Sequence, residues 1–328
     1  MTYDGKVLAL AREAVSQRKV NNAREGNIRR ERAFESAPEL AVLDAEIRDI
    51  MSRTSLDALR SGRGAGQAVR ATQARVEGLK QRRSQLLCEA GFPENYLDEL
   101  VTCPKCRDTG YVLGESCSCL DELYKIEQTR LLTDMLNIGQ QCFENFRLDY
   151  YEAAPDREKM AKVLNRCKNF AKSFDENSLN LLFIGSAGLG KTFLSASIAK
   201  VVSESGFSVV YDTCVSVMEA FETQKFDRYS DEASGSASSI KRYLSCDLLI
   251  LDDLGTELTT VFTQSALYRL INTRLIDHKK TIISTNLTED ELAQRYAQPI
   301  KSRILGEYKI QHFVGRDIRE VMLDRQLG

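Results

Sequence analysis

The sequence predicts an α/β fold for its C-terminal part, a doubly wound five-stranded parallel sheet, placed behind a helical N-terminal region. Three observations predict it. A phosphate-loop pattern runs from Gly185 to Thr192, with an apolar run before it and a helical run after it. From about residue 160 onward, β-rich apolar runs alternate with helical ones. Residues 1 to about 100 contain only Pro38 and Pro93 as prolines, and almost nothing there reads as strand.

The bulk numbers set the frame. The chain has 328 residues, enough for two domains and a sizeable core without staples. Its 45 Lys and Arg nearly cancel 47 Asp and Glu, so the whole is not a polycation. With 43% hydrophobic and 28% charged residues, wholesale disorder is excluded. No run of about 18 apolar residues exists, and the N-terminal MTYDGKVLALAREAVSQRKV lacks the apolar core of a signal peptide. The expectation is a soluble, cytoplasmic protein with no membrane partner. Nine cysteines are present, and four crowd between Cys103 and Cys119, which in a reducing compartment points to metal over disulfide.

Element by element, Leu40, Leu43, Ile47 and Ile50 fall on one helical stripe, and Val69, Val76, Leu79 and Leu86 repeat it. Between them the stretch 61–66 is a Gly-rich break, so long coiled-coil-like helices should fold back on one another there. Seven basic residues (Arg60, Arg63, Arg70, Arg75, Lys80, Arg82, Arg83) against the single acid Glu77 make either a partner-facing surface or a solvated helix face. Strands are expected at Leu179–Gly185, Ser208–Thr213, Leu248–Asp253, Thr281–Asn286 and Lys309–Val314. The small, polar stretch 230–239 reads as a loop. The domains are then 1–100, helical; 101–120, cysteine-rich; 121–139, a helical linker; and 140–328, the α/β core.

Gly185-Ser186-Ala187-Gly188-Leu189-Gly190-Lys191-Thr192 fits G-x-x-x-x-G-K-[ST]. Glycines let backbone N–H groups curl around phosphate oxygens, and the following helix N-terminus adds favourable partial charge. Lys191 would reach the β- and γ-phosphates of ATP, and the Thr192 hydroxyl would ligate Mg²⁺. The run Leu248–Leu251 is a buried strand that ends in Asp252 and Asp253, at the carboxyl edge where parallel sheets bind ligands. Asp252 would hold Mg²⁺ through water. Asp253 stands where many such ATPases carry a Glu that polarises the attacking water, with Glu257 a weaker candidate. Asn286 ends the next strand and reads as a sensor of the γ-phosphate or the lytic water.

Cys103-x₂-Cys106 and, ten residues on, Cys117-x-Cys119 supply four thiolates at zinc-like spacing. A closed Cys₄ shell leaves no open position, so a Zn²⁺ there would be structural. A redox pair or an iron–sulfur cluster is the alternative. Cys88, Cys142, Cys167, Cys214 and Cys246 read as ordinary buried thiols.

Taken in order, these motifs, with Ile300-Lys-Ser-Arg303-Ile and Gly315-Arg-Asp-Ile-Arg319, resemble the AAA+ P-loop ATPase core over residues 140–328. Within it they are most similar to bacterial helicase loaders of the DnaC/DnaI type and to IstB, the transposition helper ATPase. The resemblance implies that Arg303 is an arginine finger acting on a neighbouring subunit. It makes Arg319 the sensor-2 arginine, with Arg316 a rival, and places Phe143 and Phe146 near adenine or in the core. It also implies a reduced C-terminal lid, ATP hydrolysis that is weak in the isolated monomer, and self-association with ATP or helicase. A zinc module ahead of such a core resembles the DnaI-type loaders. There the N-terminal region grips the hexameric replicative DNA helicase and the core binds single-stranded DNA; here Lys225, Phe226, Arg228 and Tyr229 offer the cations and stacking aromatics for such a contact, or serve helix packing. The alternatives are an IstB-like helper that binds duplex DNA and a transposase, and a nucleotide-switch adaptor with little hydrolysis.

Overall fold

The computed structural model describes residues 3–61, 66–136, 140–227 and 236–327, which form two compact units, Glu13–Cys119 and Met1–Arg12 with Leu120–Gly328. Residues 121–136, read from sequence as part of a linker, therefore group with the α/β core, as do residues 3–12.

In the unit Glu13–Cys119, helices α1 (Gly5–Ser36), α2 (Glu39–Ser61) and α3 (Gly66–Glu89) precede a hairpin of β1 (Tyr111–Val112) and β2 (Glu115–Ser116). Leu40 and Ile47 of the expected stripe are buried, and Leu40 joins Ala33, Leu86, Leu87 and Leu97 in one apolar cluster. The elbow residues 62–65 lie outside the described residues. Of the basic run, Arg83 turns inward and is held by Asp98 at 2.7 Å and Asp44 at 3.7 Å, while Arg75 pairs with Glu46 at 2.8 Å. Arg83 thus serves helix packing, whereas the Arg75 pair stays at the surface.

The other unit is built on five parallel strands: β3 (Asn180–Ile184), β4 (Val209–Thr213), β5 (Leu248–Leu254), β6 (Lys280–Thr285) and β7 (Tyr308–His312), in the order β4-β5-β6-β3-β7. Every residue of β3 is buried, as a strand covered on both faces requires. One face packs on α5 (Ala154–Lys172) and α6 (Lys191–Glu204) through Phe183, Leu194, Ile198 and Ile250. The other packs on α7 (Cys214–Asp227), α8 (Ser236–Ser245), α9 (Val261–Ile276) and α11 (Gln298–Glu307) through Leu182, Leu249, Leu267 and Ile304. The short α10 (Glu289–Arg295) precedes α11.

The register explains why the site forms where it does. β6 lies between β3 and β5, with Leu182 opposite Ile283 and Ile283 opposite Leu251. The loop after β6 therefore emerges between the phosphate loop and the acids of β5. The free edge of β4 is closed by Gln128 of α4 (Ser118–Leu136), whose side chain donates to Phe207 O and accepts from Val209 N, at 2.8 and 3.1 Å. Two expectations shift. The 230–239 stretch is not loop throughout, because α8 begins at Ser236, and Cys88, expected to be buried, is exposed. The helix α12 (Ile318–Leu327) follows β7. Among the described residues no helix is long and apolar enough to cross a membrane.

Candidate functional site

The loop from Gly185 to Gly190 leaves the buried end of β3 and runs straight into α6, so the first N–H groups of that helix face the space the loop encloses. Gly188 and Gly190 have φ of +73° and +89°, a region that side chains rarely adopt. A Cβ on Gly188 would overlap the Asp317 carboxyl group, and one on Gly190 would sit 3.1 Å from the Phe146 ring. Lys191 Nζ donates to Gly185 O at 2.6 Å, Ser186 O at 2.8 Å and Asn286 Oδ1 at 2.7 Å. Burial holds the Lys191 pKa below its ordinary value, against the opposing pull of Asp253 and Asp252. Lysine, loop and the Asn286 sensor position are thus one hydrogen-bonded group.

Asp252 is buried and accepts on both oxygens. Thr192 Oγ1 and the Tyr211 hydroxyl donate to Oδ2 at 3.0 and 2.8 Å, and the Ser284 hydroxyl and Asp253 N–H donate to Oδ1. Thr192 and Asp252 supply the hard oxygen donors that Mg²⁺ prefers, side by side at the mouth of the loop, so they fit the ion the motif implies. Bound there, Mg²⁺ would supply charge neutralisation for the phosphates. Asp253 is half-buried with φ of +54°, and burial together with the Asp252 charge raises its pKa. Lys191 and Arg319 pull it the other way. Glu257 is bound into the fold instead. Gly255 N–H donates to its Oε2 at 2.9 Å, Tyr296 OH donates to its Oε1, and Arg295 takes its backbone carbonyl. It is not free to hold a water.

After β7 the chain returns to the phosphate loop. Ile318 N–H donates to Gly188 O at 3.0 Å, and Asp317, lying against Gly188, accepts from Arg319 N–H at 2.8 Å. The charge of Arg319 is felt by both Lys191 and Asp253. Arg316 points to Asp324 at 3.0 Å and Glu152 at 3.7 Å on the surface. Of the two rivals, Arg319 is the one whose charge acts on Lys191 and Asp253.

The model of the IstB-like ATP-binding proteins matches residues 121–306. The chain belongs to that family. Its phosphate loop and parallel sheet are those of an ATP-binding protein. It is 26% identical over 142 residues to the uncharacterized protein YdaV of Escherichia coli, covering 43% of this chain and 55% of YdaV. To the replicative helicase loader DnaC of Buchnera aphidicola subsp. Schizaphis graminum it is 21% identical over 183 residues, covering 55% and 70%. An ATP-binding protein of insertion sequence IS232 from Bacillus thuringiensis is 26% identical over 151 residues, covering 44% and 58%. The chain thus spans little more than half the length of YdaV and of the IS232 protein. Among solved structures, the DnaC helicase loader covers 54% of this chain and 99% of its own at 20% identity, TM-score 0.45; DnaI covers 56% and 93% at 20% identity, TM-score 0.43.

In this IstB-like core the remaining expected residues are spread. Arg303, on α11, lines a cleft with Asn180 and Lys280, the first residues of β3 and β6. That is the end of the sheet opposite its own phosphate loop, about 16 Å away along a five-residue strand. Arg303 is half-buried and makes no ion pair among the described residues. Phe143 is a core residue, whereas Phe146 packs on Phe193 and Tyr151 at the rim of the loop. Arg228 and Tyr229 lie outside the described residues, as do the side chains of Lys225 and Phe226.

Three contributors were not singled out from sequence. Tyr211 reaches Asp252 only because β4 and β5 are neighbours, Thr213 opposite Asp252. Ser284 reaches it from β6. Tyr151 donates to Leu189 O at 2.9 Å, pinning the loop from outside. The alternation of Tyr211 and Thr213 on one face of a strand was the signal available, but it acquires meaning only with the strand order.

The Cys103, Cys106, Cys117 and Cys119 sulfurs all lie within 4.8 Å of one another, with Cys106 and Cys119 at 3.4 Å and Cys103 and Cys117 at 3.7 Å. Four sulfurs at about 2.3 Å from one tetrahedral ion stand about 3.8 Å apart, so the set fits Zn²⁺. The hairpin and a buried carboxylate hold it in shape: Asp108 accepts from the N–H groups of Thr102 and Cys103 and from Asn22 of α1, each at 2.9 Å. Burial raises the Cys106 thiol, but hydrogen bonds from Gly110 N–H and the other thiols outweigh it and lower it to about 6, while burial and the same neighbours push the Cys119 thiol up. Bound there, Zn²⁺ would cross-link the hairpin to the turn at Cys103–Cys106.

Proposed function

We propose that this protein is an ATP-dependent loader of the replicative DNA helicase. Residues 13–119 dock on the hexameric helicase, and the AAA+ core binds ATP with Mg²⁺, associates with further copies around nucleotide, engages single-stranded DNA and hydrolyses ATP slowly as a monomer. The observation that carries this reading is the separate helical unit with its four-thiolate knuckle, ahead of a core that has a complete phosphate loop. The relatives named as replicative helicase loaders support the same reading. In this reading the protein works in the cytoplasm, and Zn²⁺ is structural.

The family match and the insertion-sequence relative favour a second reading, a transposition helper that binds duplex DNA and a transposase. Asp253, shorter than the usual Glu, favours a third, a nucleotide switch with little turnover. Light scattering after gel filtration decides among them, mixing the full chain and its host's replicative helicase with and without ATP. A stable complex, lost when residues of the 13–119 unit are changed but kept when Lys191 is changed, supports the loader. No complex, together with ATP-dependent assembly on duplex DNA, moves the assignment to the helper.

A further inference from the structure

Helix α5 carries a row of cations that the nucleotide site does not use. Between Lys159 and Lys172 it holds Lys159, Lys162, Arg166, Lys168 and Lys172 and no acid. Its opposite face, including Met160, Val163, Cys167 and Ala171, is buried, so the helix cannot roll. Lys159, Lys162 and Arg166 follow one another at i, i+3 and i+7 on the exposed side, with Asn169 continuing the row and Lys172 beside it. At about 1.5 Å per residue the row is about 20 Å long.

The row also extends onto the sheet. Arg166 donates to Gln311 Oε1 of the edge strand β7 at 3.2 Å, and Lys309, two residues earlier, shares that face of the strand and is exposed. Lys162 pairs with Glu158 at 2.6 Å, but both side chains are more than half exposed and the pair is weak. Lys159, Lys172 and Lys309 have no ion pair among the described residues. In a chain whose acids outnumber its bases, such a segregated row matches a linear polyanion.

Which polyanion follows from what is missing on the exposed face. No aromatic side chain shares it; Phe170 packs edge-on against Phe174 at 5.6 Å and joins the core. Tracks for single strands combine cations with aromatic platforms on which unpaired bases stack. A straight row of cations alone suits a backbone whose bases are already stacked inside a duplex. We infer that α5 and Lys309 form a track for the phosphate backbone of duplex DNA. The inference rests on the reading that the protein works on DNA, and adds a surface outside the 225–229 segment.

The test is fluorescence anisotropy with the full chain and ATP, on a short duplex of mixed sequence and on oligo-dT, over a salt series. The variant is Lys159→Glu/Lys172→Glu, two exposed side chains that make no hydrogen bond among the described residues. Duplex binding should weaken and the log–log salt slope should fall by about 2, one for each phosphate contact, with fluorescent-ATP affinity unchanged. An unchanged duplex slope overturns the track. So does a loss confined to oligo-dT, which marks a single-strand surface, or a loss of helicase binding with DNA binding intact, which marks a protein-docking face. A wild-type chain that binds neither DNA also overturns it, and the helicase complex, measured in parallel, shows whether the loader reading falls as well.

Discussion

The hydroxyl of Tyr211 donates to Oδ2 of Asp252 at 2.8 Å, the same carboxylate oxygen that accepts the Thr192 hydroxyl at 3.0 Å. Burial and the Asp252 charge push the phenol pKa up, so Tyr211 stays a donor at any working pH. A donor that fixes a metal-side carboxylate is typically worth about tenfold or more in metal affinity. Tyr211→Phe should therefore raise the Mg²⁺ concentration needed for half-maximal ATP binding by about tenfold and leave Mg²⁺-free binding near wild type. A Mg²⁺ titration followed with a fluorescent ATP analogue reads both. An equal loss with and without Mg²⁺ would reduce Tyr211 to a packing residue.

Asp253 is a charged group in an unfavourable place. Burial and Asp252 raise its pKa above the ordinary carboxylate value, so the fold binds its proton more tightly than the unfolded chain does. Ionised Asp253 therefore opposes folding. The penalty is absent below the ordinary carboxylate pKa, grows as pH rises, and is complete above the raised value. Nucleotide-free Asp253→Asn should melt higher than wild type at neutral pH, with the gap closing on acidification, while hydrolysis is lost. Scanning calorimetry across that pH range tests it; equal melting temperatures at neutral pH would show that Asp253 carries no such cost.

The four thiolates predict a metal-dependent N-terminal unit. Elemental analysis should find about one zinc per chain, and Cys106→Ser should abolish it. Because the cluster lies wholly within Glu13–Cys119, chelation should strip hydrogen-exchange protection there and leave ATP affinity unchanged. Metal-free protein with full protection of Cys103–Cys119 would refute the zinc assignment.

The sheet and the phosphate loop were legible because each is local: one strand, one turn and one helix start carry Gly185 to Thr192. Asp252 and Asn286 were legible for the same reason, as the polar ends of apolar strands. Tyr211 and Ser284 were not, because their role depends on which strands become neighbours. Glu257 illustrates the reverse failure. In sequence it lies within reach of the acids, yet Gly255, Tyr296 and Arg295 draw it into the packing beneath α10. The N-terminal boundary was hidden because α1 and α4 are continuous helices that belong in part to each unit, with no loop or change of composition to mark the division.

The two arginines of the C-terminal segment should separate by where they act. Arg319 shares the site with Lys191 and Asp253, so Arg319→Ala should lower hydrolysis in every assembly state, whereas Arg316→Ala, which loses only exposed pairs to Asp324 and Glu152, should stay close to wild type. Arg303 lies at the other end of the sheet and cannot serve its own loop. Arg303→Ala should keep ATP affinity and lose on the order of 10³-fold or more in hydrolysis, and only under conditions where copies assemble. Mixing it with Lys191→Ala gives the decisive readout. A Lys191→Ala copy cannot use its own site but still offers Arg303 to a neighbour, so the mixture should recover hydrolysis that neither variant has alone. No recovery, with equal losses in monomer and assembly, would make Arg303 a structural residue of the cleft beside Asn180 and Lys280.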